Sequence, residues 1–143
     1  MEEVPAEFWQ GVEQFNQGEF YACHDTLEAI WIEAPPSEKN FYQGILQIAV
    51  ALYHLGNQNW RGAVILLGEG ANRLCKYPAE YAGIDVGDLV DRSVELLSAL
   101  QAVGSDRIQD VVLMPSISEA KRESEKVFLR QPTIQKLAPS LVE

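Results

Sequence analysis

Two histidines, with the carboxylates and amides spaced around them, are the residues of this chain that could do chemistry. The stretch His24-Asp25-Thr26-Leu27-Glu28-Ala29-Ile30-Trp31 places a histidine, two acids and a tryptophan within two helical turns. Gln43, Gln47 and His54 follow as a second polar stripe. At about 100° per residue, His24, Glu28 and Trp31 fall within roughly 60° of one another on one helix face. The same arithmetic groups Gln43, Gln47, Val50 and His54 within roughly 60° on the next helix. Facing each other, the stripes would make one site from His24, Asp25, Glu28, Trp31, Gln43, Gln47, Tyr53 and His54.

Three kinds of chemistry suit that set. The first is a hydrogen-bond network that fixes helix register, with Glu28 accepting from a histidine or an amide. The second is a divalent-metal site. In it His24 and Glu28 ligate from adjacent turns, His54 adds a nitrogen and Gln47 an oxygen. The third is a small-molecule pocket walled by Trp31, Tyr42 and Tyr53. The metal reading lacks the second histidine of His-Glu-x-x-His, because Glu28 stands in its place, and it lacks the paired Glu-x-x-His motifs of di-iron bundles. The chain has no Gly-x-Ser-x-Gly and no glycine-rich phosphate loop after a strand.

The elements that must position these residues read as helices. Pro5 suits the first turn of a helix carrying Phe8, Trp9, Val12 and Phe15, which the run Asn16-Gln17-Gly18 ends. A second helix covers about residues 19–33 and stops at Pro35-Pro36. Ser37 reads as the N-cap of a third, running to about Leu55. Ile45, Leu46, Ile48, Val50 and Leu52 make that helix apolar nearly all round, so it is buried and its amides need partners. The short connection makes the second and third helices antiparallel neighbours, which puts the His24 stripe nearest to Gln47. A fourth helix covers about residues 60–76, with Asn57 capping it or shaping the turn before it. Residues 78–84 read as a loop. Asp85 fits an N-cap of a fifth helix with Leu89, Val90, Val94, Leu97 and Leu100 as its apolar stripe, closed by Gly104.

A repeat at an offset of 40 residues links two of these helices: Phe20, Cys23 and Leu27 after a turn with Gly18, then Trp60, Ala63 and Leu67 after a turn with Gly56. Aromatic, small and leucine recur at the same spacing, as two stacked helical hairpins require. Tetratricopeptide repeats are similar but use a period near 34. The last forty residues differ. Val111-Val112-Leu113-Met114 reads as a strand or extended segment, and residues 118–130 as a short helix or loop.

Composition excludes some partners. With 143 residues, one domain is the expectation, with residues 1–103 as the bundle and 104–143 as a peripheral arm of the same domain. The net charge of −10 argues against nucleic acid and anionic membrane, which attract Lys and Arg. The longest apolar stretch, residues 45–55, is broken by Gln47 and His54, so no transmembrane helix is expected. The acidic N-terminus, without a basic stretch before an apolar one, is not expected to act as a signal peptide. Cys23 and Cys75 lie in apolar helical patterns and read as reduced core thiols of a cytoplasmic protein. Cys23 cannot easily touch His24, because adjacent helix positions point apart.

The run Phe15-x-x-Gly18-x-Phe20-Tyr21-x-x-His24-Asp25-x-Leu27-Glu28-x-x-Trp31 resembles the hallmark of the family known as domain of unknown function 309. The next block is similar too: Phe41-Tyr42-Gln43-Gly44-x-x-Gln47-x-Ala49-x-Ala51-x-Tyr53-His54, then Gly56-Asn57 and Gly62-Ala63, and later Tyr81-x-Gly83-Ile84-Asp85-Val86. The resemblance covers about residues 8–100. It departs at Asp25, where that family usually has glutamate; the shorter acid reaches less far as a ligand. The resemblance implies a small all-helical oligomeric domain and no particular activity, substrate or cofactor.

The expectation is therefore an all-α protein, an antiparallel bundle of about five helices built from hairpins, with an irregular C-terminal arm. Its expected role is cytoplasmic binding of a protein or small-molecule partner through the His/Glu/Gln cluster between the second and third helices, as a homo-oligomer. One alternative is a metal-dependent enzyme, a hydrolase using His24, Glu28 and His54 as ligands. The other is a purely structural helical oligomer.

Overall fold

A computed structural model describes residues 4–114 and 126–138. Residues 1–3, 115–125 and 139–143 lie outside the description, and with them parts of the expected N-terminus and arm. Among the described residues five α-helices pack in chain order: α1 (Ala6–Asn16), α2 (Phe20–Glu33), α3 (Pro36–Gly56), α4 (Trp60–Leu74) and α5 (Val86–Val103). The protein is an all-α bundle with an irregular C-terminal region, as the periodicity implies. Among the described residues no helix is long and apolar enough to cross a membrane.

The helix α3 is the centre of the bundle. Phe41, Ile45, Ile48, Ala49, Ala51 and Leu52 along it are each 1% exposed or less, and α2 and α4 pack along its two flanks. Fully burying one such aliphatic side chain is worth about 1.5–3 kcal/mol. The flank against α4 is unusually close. A Cβ added at Gly70 would lie 2.7 Å from the Gly44 carbonyl oxygen and 2.7 Å from Ile48 Cγ1; one added at Gly44 would lie 2.8 Å from Leu74 Cγ. The two backbones touch here, and only glycine permits it.

The repeat survives in the turns. The α1–α2 turn is held by Gln17 N–H to Glu13 O, Gly18 N–H to Phe15 O and Glu19 N–H to Gln14 O; the α3–α4 turn by Asn57 N–H to Tyr53 O, Gln58 N–H to Leu55 O and Asn59 N–H to His54 O. Each bond has its counterpart 40 residues on. Gly18 sits at φ +79° and Gln58, its counterpart, at φ +61°. The second turn therefore places a side-chain residue in the left-handed region, which costs about 1–3 kcal/mol. Cys23 and Leu27 on α2, like Ala63 and Leu67 on α4, face the core.

Other local expectations need correction. Ser37 is not the N-cap of α3. Proline at N1 sets the first turn, preceded by Pro35 with no side-chain cap. Of the two roles expected for Asn57 it takes the second, shaping the turn through the Tyr53 carbonyl, while Asn59 caps α4, accepting from Gly62 N–H at 2.9 Å. Asp85 does cap α5, accepting from Asp88 N–H at 2.9 Å. The expected loop before it contains a tight hairpin, β1 (Glu80–Tyr81) with β2 (Ile84–Asp85), whose two turn residues Ala82 and Gly83 lie at φ +54° and +80°. Two positive φ values in a two-residue loop match the twist of the strands they join.

Beyond α5, a 3₁₀ helix (Ser105–Asp110) leads to β3 (Val111–Met114), which pairs in parallel with β4 (Val127–Arg130). Residues 127–130 are thus a strand, where helix or loop was expected; residues 118–125 lie outside the description. Pairing decides this, and pairing has no local signature. The chain then returns across α1, burying Ile134 in the core.

Two substitutions test this account by urea unfolding. Gly70→Ala is expected to lower stability by about 1–3 kcal/mol through overpacking, despite the better helix propensity of alanine. Gln58→Gly relieves a left-handed side-chain residue and is expected to raise it by up to about 1 kcal/mol.

Candidate functional site

The two polar stripes do not form one cluster. Gln47, 9% exposed, turns to α4. Its Nε2 lies 3.4 Å from Glu69 Oε1 as donor, and its Oε1 accepts from Arg73 Nε at 3.0 Å. Arg73 Nη1 also donates to Asn40 Oδ1 at 2.6 Å. The Gln47 amide thereby bridges the carboxylate and guanidinium of α4, and the network Asn40–Gln47–Glu69–Arg73 ties α3 to α4. The expectation that Gln47 would meet His24 and Glu28 is corrected. The packing of α4 on α3 at Gly44 and Gly70 brings Glu69 and Arg73, which flank Gly70, to Gln47. Sequence reasoning missed Asn40, Glu69 and Arg73. Their signal was present: Asn40 and Gln47 share a face at a spacing of seven, and Glu69 and Arg73 lie one turn apart on α4.

His24 stays with the acids of its own helix. Its Nδ1 lies 3.2 Å from Asp25 Oδ1 and its Nε2 3.1 Å from Glu28 Oε2. A carboxylate only accepts, so a neutral imidazole satisfies one of them and an imidazolium both. His24 is half-buried while Asp25 and Glu28 are exposed. His54 sits at the end of α3, where its Nδ1 lies 3.4 Å from Asn59 Nδ2. Gln43 is half-buried on α3.

What links the two histidines is aromatic. The ring centroids of His24 and Tyr21 are 6.1 Å apart, those of Tyr21 and Tyr53 5.5 Å, and those of Tyr53 and His54 6.4 Å. Tyr21 is 60% and Tyr53 41% exposed. Four rings from α2 and α3 thus form a continuous surface ladder, with Asp25 and Glu28 beside it. Ile32, also 60% exposed, lies one turn beyond Glu28 on α2.

This geometry overturns the metal reading. Among the described residues no group of three or more His, Cys, Asp and Glu side chains is placed to hold a metal ion. The reason is local. Asp25 and Glu28 approach opposite nitrogens of the His24 ring, so their oxygens diverge instead of converging on one point. His54 is engaged at the far end of the tyrosine pair. His24, Glu28 and His54 are therefore not a ligand set for a divalent cation.

The expected pocket walls also separate. Tyr42 is 2% exposed and packs edge-on against Phe8 and Phe41; burial, with the charge of Glu38 and the neighbouring Tyr81 adding, pushes its phenol up to about 12. Trp31 is half-buried, and its indole Nε1 is buried without a hydrogen-bond partner among the described residues. The Lys39 ammonium lies 4.7 Å above the Trp31 ring and donates to the Trp31 carbonyl at 2.7 Å and the Ile32 carbonyl at 3.1 Å. It caps the C-terminus of α2 from α3, closing the hairpin at its connected end.

Both cysteines are free. Cys23 lies in the core, and burial pushes its thiol up to about 12. Cys75, expected in the core, is exposed, because α4 ends at Leu74 and the apolar pattern no longer dictates direction there.

Residues 8–66 match the family described as "Domain of unknown function (DUF309)", a span that holds the whole ring ladder and ends before Glu69 and Arg73. Over 119 residues the chain is 29% identical to "Uncharacterized protein YpuF" of Bacillus subtilis (strain 168), covering 79% of this chain and 65% of that protein. Over 76 residues it is 26% identical to an "Uncharacterized protein" of Aquifex aeolicus (strain VF5), covering 52% of this chain and 23% of that one. The chain thus spans just under two thirds of the first relative and under a quarter of the second. No solved structure matches.

The cysteine environments give a direct check. In the native protein at about pH 8, alkylation followed by mass spectrometry is expected to label Cys75 alone, since a thiolate is the reactive form and Cys23 stays protonated. Denaturant is expected to expose both.

Proposed function

We propose that this chain is a binding module whose contact face is the ring ladder of α2 and α3, and that it grips a basic segment of a protein partner. The carrying observation is the exposed, tilted ring pair of Tyr21 and Tyr53 between the two histidines. Tyrosines supply wide contact area at little conformational cost and are enriched at binding hot spots. Asp25 and Glu28 lie within the same face, with Tyr21 at one end and Ile32 at the other.

Chemistry selects the partner. An acidic strip between an aromatic and an aliphatic contact suits a segment with Lys or Arg flanked by apolar residues. Cations also find the tyrosine faces. A second copy of the same face would set acid against acid, in a chain of net charge −10. Any homo-oligomer is therefore assigned to another surface. The free cysteines, one of them exposed, support a reducing compartment such as the cytoplasm.

The test is selection of random displayed peptides on the intact protein. Peptides with basic residues beside aliphatic ones are expected to enrich. Their affinity is expected to fall at least about tenfold with Tyr21→Ser and with Glu28→Gln, about 1.4 kcal/mol each, and to weaken as salt screens the exposed charges. Enrichment of peptides without basic residues, or binding unchanged by both substitutions, would remove the basis of this assignment.

A further inference from the structure

Residues 133–137 lie across the bundle as an extended peptide lies in a recognition groove. Asn16, the last residue of α1, uses both ends of its carboxamide on the backbone of one residue of this segment. Its Oδ1 accepts from Ile134 N–H at 2.7 Å, and its Nδ2 donates to the Ile134 carbonyl at 2.9 Å. On the other side the β1–β2 hairpin supplies a strand edge. Asp85 N–H donates to the Gln135 carbonyl at 2.9 Å, Leu137 N–H donates to the Gly83 carbonyl at 2.9 Å, and Ile84 faces Lys136 in an antiparallel bridge. All four bonds read the segment's backbone, so none requires its particular side chains. Strand addition to an exposed edge is a common means of peptide recognition.

Side-chain selectivity rests on two positions. Ile134 is 2% exposed among the core residues. Two residues on, the Lys136 ammonium lies 4.7 Å from the centroid of the Trp9 ring. Glu13 lines the same cleft, which stays open beside the segment with a volume of about 630 Å³. The groove therefore combines an apolar socket, a backbone clamp and an acidic, aromatic seat for a cation.

We infer that the groove between α1 and the β1–β2 hairpin is a recognition site for an extended peptide, and that residues 133–137 are its intramolecular occupant. The partner it fits is a protein segment with a branched aliphatic residue followed two positions later by Lys or Arg. Complementarity argues for the basic residue: Trp9 and Glu13 would gain nothing from an acidic one. The tethered segment competes at high effective concentration, so an outside peptide binds the closed chain weakly. This groove is separate from the tyrosine ladder, and substitution of Tyr21 leaves it intact.

The experiment uses the full chain and a fluorescein-labelled peptide of residues 131–138, read by anisotropy. Ile134→Asp is expected to release the tethered segment and raise peptide affinity at least about tenfold over the unsubstituted chain. Asn16→Ala added to that variant is expected to abolish the gain, and a peptide carrying glutamate in place of Lys136 is expected to bind at least about tenfold more weakly. Equal binding by closed and released chains, or a gain that survives Asn16→Ala, would overturn the inference. So would a released chain that dimerises by light scattering and excludes the peptide, because a second copy is then the occupant. If Ile134→Asp loses the helical circular-dichroism signal, Leu137→Asp, at a part-exposed position, takes its place with the same readings. If neither variant folds, the segment is a fixed part of the core and the inference fails.

Discussion

Everything in this bundle is arranged around the need to cover α3 on both flanks. A helix with apolar side chains nearly all round cannot face water, and one neighbour hides only a stripe of it. The hairpin connection puts α2 on one side, and the α3–α4 turn puts α4 on the other. The α4 side closes until the backbones touch at Gly44 and Gly70. That contact fixes the height of α4 along α3. It thereby decides which polar groups of α4 come within reach of Gln47.

Polar groups sort themselves under that constraint. Gln47 is buried and must be bonded, and the contact at the two glycines brings it Glu69 and Arg73. His24 is only half-buried and needs less, so it is met by acids of its own helix. The two arrangements differ in kind. The first is an interhelical tie, in which an amide separates opposite charges. The second is a surface feature, open to solvent and continuous with the tyrosine rings. One is a structural bond and the other an exposed face, so they are not one site.

The hairpin repeat explains the remaining geometry. The same turn hydrogen bonds occur twice, 40 residues apart, although the first turn uses glycine and the second glutamine at the left-handed position. The fold of the turn is thus imposed by what precedes and follows it, not by the residue at its tip. The C-terminal segment then lies against the first of the two hairpins. It is held through its backbone by Asn16 at the end of α1 and by the strand edge that precedes α5.

Sequence by itself determined the helices, their order and the buried character of α3, because these follow from apolar periodicity and from stop signals such as Pro35 and Gly104. It also picked out His24, Glu28, Tyr53 and His54 as residues of interest, since they depart from that periodicity. Cap identity was less legible. Asp85 was found, whereas Ser37 lost to Pro36, which sets the first turn without any side-chain bond. Tertiary structure alone decided partners. Helix spacing tells which residues share a face, but not which of two neighbouring helices that face meets. Gln47 could point to α2 or α4 with the same periodicity, and only the close approach of two glycines settled it. The same limit hid β4 and the seat of Ile134: β4 pairs with a strand 16 positions earlier and Ile134 returns to Asn16, 118 positions earlier, and no local pattern encodes such contacts.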